Sequence, residues 1–312
     1  MINIVTGGAG LIGSHLIDKL ISSNEEVVCI DNFATGNLVN IKKHLNNPKF
    51  KLINQDVLDK PPNIFADKIW HMACPASPAK YQLNPIKTAK ICFIGTYNML
   101  ELALRTKSKF LFASSSEIYG NPEVHPQSEE YEGCVNTASI RACYEEGKRV
   151  AETLCFDFNR EHNLDIRIAR IFNAYGPRMA LNDGRVISNF IVQALKGNEI
   201  TIYGDGSQTR TFCYIDDMVN GIIKLMNSNY QMPVNLGHYR EYKIAELAKK
   251  IKEKINPKII LKNQELPEAD PIKRKPNIKL AKNILSWEPQ ISLNVGLDIT
   301  IEFFKKNLYL SK

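Results

Sequence analysis

Ile2-Asn3-Ile4-Val5-Thr6-Gly7-Gly8-Ala9-Gly10-Leu11-Ile12-Gly13 is the stretch that decides the fold. Ile2–Thr6 is a short β-rich run, and Leu11–Ser22 has the spacing of an amphipathic helix. Between them, Gly7 allows a tight turn, Gly10 lets backbone approach a pyrophosphate, and Gly13 lets the helix pack closely on the strand. The helix start, with Leu11 and Ile12, then presents free N–H groups and a positive dipole end to phosphate. A glycine-rich turn alone serves equally well as a plain tight connection. Asp31 removes much of that ambiguity. It ends the second strand candidate, about 20 residues past the glycines, where a carboxylate accepts bonds from an adenosine ribose. A carboxylate there repels a 2′-phosphate and no arginine follows it at once, which favours NAD over NADP. Asn32 adjoins it, and Asp56-Val57, after the third strand, is placed to meet adenine.

Outward from this stretch, β-rich runs alternate with helical patterns. Strands are predicted at Ile2–Thr6, Val27–Ile30, Phe50–Asn54, Lys68–His71, Phe110–Ser114 and Ile166–Ile171. Helices are predicted at Leu11–Ser22, Pro85–Thr106 and Arg141–His162. Such alternation gives an α/β fold, a doubly wound parallel sheet of Rossmann type. After Gly176-Pro177 loops lengthen, and Gly204-Asp205-Gly206 and Pro267–Pro276 punctuate the chain. We therefore expect a dinucleotide-binding domain over residues 1–172. A smaller C-terminal α/β substrate lobe is expected mainly over 173–312, with the chain crossing between lobes.

The 312 residues are 44% hydrophobic and 23% charged, which is ordinary for a globular protein. No run of ~18 apolar residues is present to cross a membrane. A strand begins at Ile2 with no charged region and apolar run before it, so the expected location is cytoplasmic. Seven scattered cysteines show no zinc or redox spacing, and six histidines form no metal pattern. We expect reduced cysteines and no metal. The net charge of +7 reads as a lysine-rich surface, as over Ala245–Lys254, or as attraction to an anionic partner. Nothing interleaves aromatics with a basic run, so no nucleic acid is expected.

Tyr144 and Lys148 stand one helical turn apart on one face. A tyrosine with pKa near ~10 is a poor base at neutral pH. A nearby ammonium favours its phenolate, so Lys148 is expected to lower that value. A surface helix pair gives the same spacing. Ser114-Ser115-Ser116-Glu117 follows the fifth strand, where strand ends border a ligand crevice. Ser115 can hold the oxygen that tyrosine deprotonates. Glu117 adds a carboxylate, or merely opens a helix.

The glycine turn, Asp31, Ser115 and Tyr144/Lys148 together resemble the extended short-chain dehydrogenase/reductases, the NAD-dependent epimerase/dehydratase family. Within it the chain is similar to the UDP-glucuronic acid decarboxylases (UDP-xylose synthases). The similar stretches include Pro75-Ala76-Ser77-Pro78, Asn84-Pro85-Ile86-Lys87-Thr88, Arg141–Arg149, Gly176-Pro177-Arg178-Met179, Gly206–Arg210 and Asp270-Pro271 with Lys273–Pro276. The similarity runs through nearly the whole chain. Three departures stand out. Cys92 replaces a usual asparagine, Thr137-Ala138-Ser139-Ile140 replaces a Pro/Gly-rich turn, and Ser115 replaces a threonine.

The resemblance implies NAD as cofactor, lined also by Met72, Cys74 and Lys90, although Lys90 reads as well as a solvated lysine. It implies catalytic roles for Ser115, Glu117, Tyr144 and Lys148, and decarboxylation of UDP-glucuronate to UDP-xylose through a 4-keto intermediate. The substrate would meet Asn173, Arg185, Tyr203, Arg210 and Arg274. Arg210 binds diphosphate or donates a proton, and Tyr203 stacks on uracil or packs in the core. A homodimer is implied, pairing Pro85–Thr106 and Arg141–His162 in a four-helix bundle with Leu100, Leu154 and Phe158 as seam or core residues. Two alternatives stand beside it: a nucleotide-sugar 4-epimerase or 4,6-dehydratase, and a non-catalytic NAD-binding regulator. Dehydratases carry aspartate at position 116, where this chain has Ser116. Epimerase relatives usually lack Glu117. A regulator would be expected to lose Tyr144 or Lys148.

Overall fold

The computed structural model describes residues 1–265 and 273–310, with side chains to residue 308. Six strands enter the main sheet in chain order: β1 (Ile2–Thr6), β2 (Glu26–Asp31), β3 (Phe50–Asn54), β4 (Lys68–His71), β5 (Lys109–Ser115) and β6 (Ile166–Ile171). Across the sheet the order is β3, β2, β1, β4, β5, β6, and then a late strand, Val234–Leu236. All six pairings are parallel. The strands are covered on both faces and so are almost continuously apolar.

On one face Ile4, Ile69, Phe110 and Ile168 pack against Leu100, Ala151 and Phe158 from the helices Thr96–Thr106 and Ala142–His162. On the other, Val5, Trp70, Leu111 and Ala169 meet Leu16 and Ile17 of the first helix, Leu11–Ser22, and Ile222 of the helix Ile215–Asn227. Leu100 and Phe158 are therefore core residues, and Leu154 is partly buried against them. Of the two places expected for them, seam or core, Leu100 and Phe158 take the core.

The predicted helix Pro85–Thr106 runs in three pieces. Pro85–Lys90 and Thr96–Thr106 are α-helical, and Ile91–Gly95 between them winds as a wider π-type turn. Such a bulge inserts a residue into the helical ladder and often marks a functional site. Close packing helps to set it here: a Cβ on Gly95 would lie 2.8 Å from Val57.

Beyond β6 the chain forms helices and small sheets of short strands. Ile200–Tyr203 pairs with Leu261–Gln264, while Thr209–Thr211 lies between Glu241–Lys243 and Lys273–Arg274. The chain returns to the main sheet at Val234–Leu236, which pairs with β6. Asp270-Pro271 lies outside the described residues.

The strand order reverses between β1 and β4, and the turns that follow these two strands meet there. Gly7 has φ +66°, and a Cβ on it would lie 2.8 Å from the Cα of Ala73. A Cβ on Gly13 would overlap the Gly7 carbonyl oxygen, and the neighbour at fault is rigid backbone. We predict that Gly13→Ala costs about 1–3 kcal/mol of stability and weakens dinucleotide binding as well. A thermal melt with and without NAD reads both effects.

Candidate active site

A cleft of about 1080 Å³ opens at the strand reversal. Its walls include Gly7, Gly10, Leu11, Ile12, Gly13, Asp31, Asn32, Asp56, Val57, Met72 and Cys74. Asp31 accepts bonds from the backbone N–H groups of Ala9 and Phe33, each at 2.8 Å. Burial nevertheless raises its pKa, against the pull of those two bonds. Its fixed carboxylate ties the glycine turn to the end of β2. Asn32 donates to Asp56 at 2.9 Å, and Lys87 pairs with Asp56 at 3.0 Å. Lys90 is exposed and is not among the residues lining the cleft, so it behaves as the solvated lysine.

Ser115, Glu117, Tyr144 and Lys148 all line the same cleft. Ser115 ends β5, its hydroxyl accepts from the Glu117 N–H at 3.2 Å, and it lies close enough to the Tyr144 phenol to favour the ionised form. Lys148 donates to the Ala113 carbonyl at 2.6 Å, with its ammonium 5.7 Å from the centre of the Tyr144 ring. Tyr81 stacks on Tyr144 with ring centres 4.8 Å apart. The expected lowering of the Tyr144 pKa is not found. Burial pushes it well above the ordinary phenol value, with neighbouring Cys74 acting in the same direction and Ser115 opposing. These surroundings favour the protonated phenol.

Glu117 is held from two sides. Arg141 and Arg274 each form an ion pair with its carboxylate, and Arg274 also donates to the Gly120 carbonyl. Arg141 reaches Glu145 as well, at 3.2 Å. Burial alone would raise the Glu117 pKa, but Arg274 and Arg141, with a contribution from Arg210, hold it below its ordinary value. Glu145, by contrast, is raised by burial and by Glu117. Glu117 is thus a fixed carboxylate, not a proton donor. Arg274, expected to meet the substrate, is 2% exposed and forms an ion pair with Glu117. Its strand Lys273–Arg274 pairs with Thr209–Thr211, which carries it inward.

Of the residues expected to meet substrate, Asn173 and Arg185 line the cleft, with Arg185 braced by Asp183 at 3.1 Å. Arg210 donates to the Thr209 carbonyl at 2.9 Å and is not among the lining residues. Tyr203 is 44% exposed and stands apart from the cleft, so neither core packing nor a place in this wall describes it.

Three cleft-wall atoms test whether a polar ligand fits. Ser77 Oγ, Asn173 Nδ2 and Arg178 Nη1 are buried with no hydrogen-bond partner among the described residues. Buried polar groups are rarely left so. Donors of this kind suit phosphate and sugar oxygens. Ser77 and Arg178 were not singled out as site residues. The only signal for them in sequence was that each falls within a family-like stretch.

These features define the class. Residues 3–245 match the NAD dependent epimerase/dehydratase family, and the chain belongs to it. It is 52% identical over 306 residues to UDP-glucuronic acid decarboxylase 3 of Arabidopsis thaliana, covering 98% of this chain and 89% of that one. It is 51% identical over 305 residues to UDP-glucuronic acid decarboxylase 1 of Xenopus tropicalis, covering 98% and 72%. Among solved structures, the UDP-glucuronic acid 4-epimerase of Bacillus cereus, in complex with UDP-glucuronic acid and NAD, aligns with a TM-score of 0.88 at 26% identity. That alignment covers 98% of this chain and 100% of the other.

The clamp on Glu117 has a pH signature. A carboxyl whose folded pKa lies below its unfolded value adds stability above the unfolded value, and loses it as pH falls through the folded one. The loss in this protein begins near the ordinary glutamate value of 4.5. Melting temperature measured against pH should therefore fall less steeply on the acid side for Glu117→Gln than for the wild type.

Proposed function

We propose that the protein converts UDP-glucuronate to UDP-xylose and carbon dioxide, with NAD regenerated in each turnover. The observation that carries this reading is the convergence of Ser115, Tyr144 and Lys148 on one cleft, beside a Glu117 held ionised by arginine. The names of relatives near 50% identity support the same reaction.

The glycine turn, Asp31, Asn32, Asp56, Val57, Met72 and Cys74 would hold the dinucleotide, and the cleft walls fit it. Bound NAD supplies the hydride acceptor that takes hydrogen from carbon 4 of the sugar and later gives it back. Tyr144 takes the proton of the 4-hydroxyl. To do so it must first lose its own, which burial opposes while Ser115 and the Lys148 ammonium favour the phenolate. The 4-ketone then lies β to the sugar carboxylate, so carbon dioxide leaves with its bonding electrons passing into an enolate. The protonated phenol and Ser115 hydrogen-bond that oxyanion. Reprotonation at carbon 5 and return of the hydride complete the pentose.

Dehydration needs an acid for the departing hydroxyl. Ser116 fills that position as a buried serine, and Glu117 is already ionised. Neither can donate near neutral pH, whereas carbon dioxide leaves without a proton. Arg210 is near enough to act electrostatically on Glu117, which supports a role at the sugar end rather than at the diphosphate.

Dimerisation belongs to the same reading, but through different residues from those first expected. Phe93, Ile94, Tyr97 and Val150 are exposed on the two helical segments and would form the seam. Among the described residues no helix is long and apolar enough to cross a membrane.

With UDP-glucuronate and NAD, mass spectrometry should show UDP-pentose without net NADH. Tyr144→Phe should lower turnover by about 10²–10⁴-fold while leaving NAD affinity nearly unchanged. Because the Tyr144 pKa is raised, wild-type turnover should climb as pH rises. An unaltered UDP-glucuronate peak with active NAD-loaded protein contradicts the assignment.

A further inference from the structure

Cys74 and Cys92 are 18 residues apart in sequence, yet their sulfurs lie 3.4 Å apart. Cys74 follows β4 and lines the cleft. Cys92 sits behind it in the π-type turn, 2% exposed. The opposing helix makes room with Gly147, where a Cβ would come within 2.9 Å of the Cys92 sulfur. One sulfur of the pair is thus open to whatever enters the cleft, and the other is sealed in the core. The hydrogen bond between the two sulfurs lowers the Cys74 pKa, with the Lys148 charge helping, and raises that of Cys92. Thiolate character and access are what make a cysteine react. Nothing in the proposed reaction uses either sulfur.

We infer that Cys74 and Cys92 form a two-electron modification site, which takes a small organic disulfide at Cys74 and ends with the two protein sulfurs joined to each other. The Cys74 thiolate attacks one sulfur of the incoming disulfide, whose S–S bond breaks to release one small thiolate. Cys92 then attacks Cys74 Sγ, gives up its proton, and releases the second small thiol. Two protein thiols are oxidised by two electrons, and one small disulfide is reduced to two thiols.

The joined form reshapes the cofactor wall. An S–S bond is about 2.05 Å long, so the sulfurs must close by about 1.3 Å from their 3.4 Å separation. Cys74 is bonded to Ala73, whose Cα lies against Gly7, and the charges of both sulfurs are felt by Tyr144. A shift at Cys74 is therefore carried to the glycine turn and to the phenol. This inference does not rest on which sugar is the substrate.

The test is to treat the full-length protein with hydroxyethyl disulfide, block remaining thiols with N-ethylmaleimide, and map its peptides by mass. The expected result is a Cys74–Cys92 cross-linked peptide that dithiothreitol releases. Calorimetry should show NAD affinity of the cross-linked protein lower by about tenfold and restored by the thiol. Cys92→Ser should stop at a hydroxyethylthio adduct on Cys74. Recovery of both cysteines as maleimide adducts, or a cross-link from Cys74 to Cys143, overturns the proposal, and wild-type protein alone suffices for that reading. A Cys92→Ser protein without the Cys74 adduct overturns entry through Cys74. Unchanged NAD affinity in the cross-linked protein overturns the link to the cofactor wall. None of these outcomes bears on the decarboxylation assignment.

Discussion

One carboxylate joins the two halves of the active site. Glu117 stands just past the end of β5 in the cofactor-binding sheet, and it receives Arg141 at the start of the helix Ala142–His162 and Arg274 from the strand Lys273–Arg274. A buried charge left without partners is costly, by about 3–5 kcal/mol when one member of a pair is removed. The carboxylate therefore fixes three elements at once: the strand end that carries Ser115, the helix that carries Tyr144 and Lys148, and the strand Lys273–Arg274. The same ion pairs keep Glu117 ionised, which removes the proton donor a dehydration would need. Position and chemistry follow from one set of contacts.

The second constraint is steric. The glycine turn can occupy its place only because Gly7 and Gly13 lack side chains where backbone lies against them. That close approach opens the crevice between β1 and β4. The orphaned donors of Ser77, Asn173 and Arg178 face the space it leaves. The glycine-turn end of the cleft is thus shaped by absent atoms, and the Glu117 end by paired charges.

Much of this was legible in the chain itself. The strands Ile2–Thr6, Phe50–Asn54, Lys68–His71 and Ile166–Ile171 stand where the apolar runs predict them. A strand buried on both faces must be apolar throughout, and its ends are marked by turns. The glycine turn, Asp31 and the Tyr144/Lys148 spacing placed side chains correctly because short-range geometry fixes them. The rest depended on long-range contacts. Nothing local distinguishes Arg274, which meets a carboxylate 157 residues away, from an arginine that meets phosphate. The π-type turn at Ile91–Gly95 leaves the apolar pattern of a helix intact. The pairing of Cys74 with Cys92 follows no motif spacing. Tyr144 was expected to feel Lys148 most, yet burial dominates, and burial is a property of the whole fold.

The central claim is that the phenol, the ammonium and the Ser115 hydroxyl run a closed redox cycle at one sugar carbon. The most direct measurement is turnover of UDP-glucuronate carrying deuterium at carbon 4, with NAD in normal solvent water. The account predicts that the UDP-pentose formed retains the label at carbon 4 and that solvent hydrogen enters only at carbon 5. Loss of the carbon-4 label to water, or release of a 4-keto sugar with stoichiometric NADH, would contradict it.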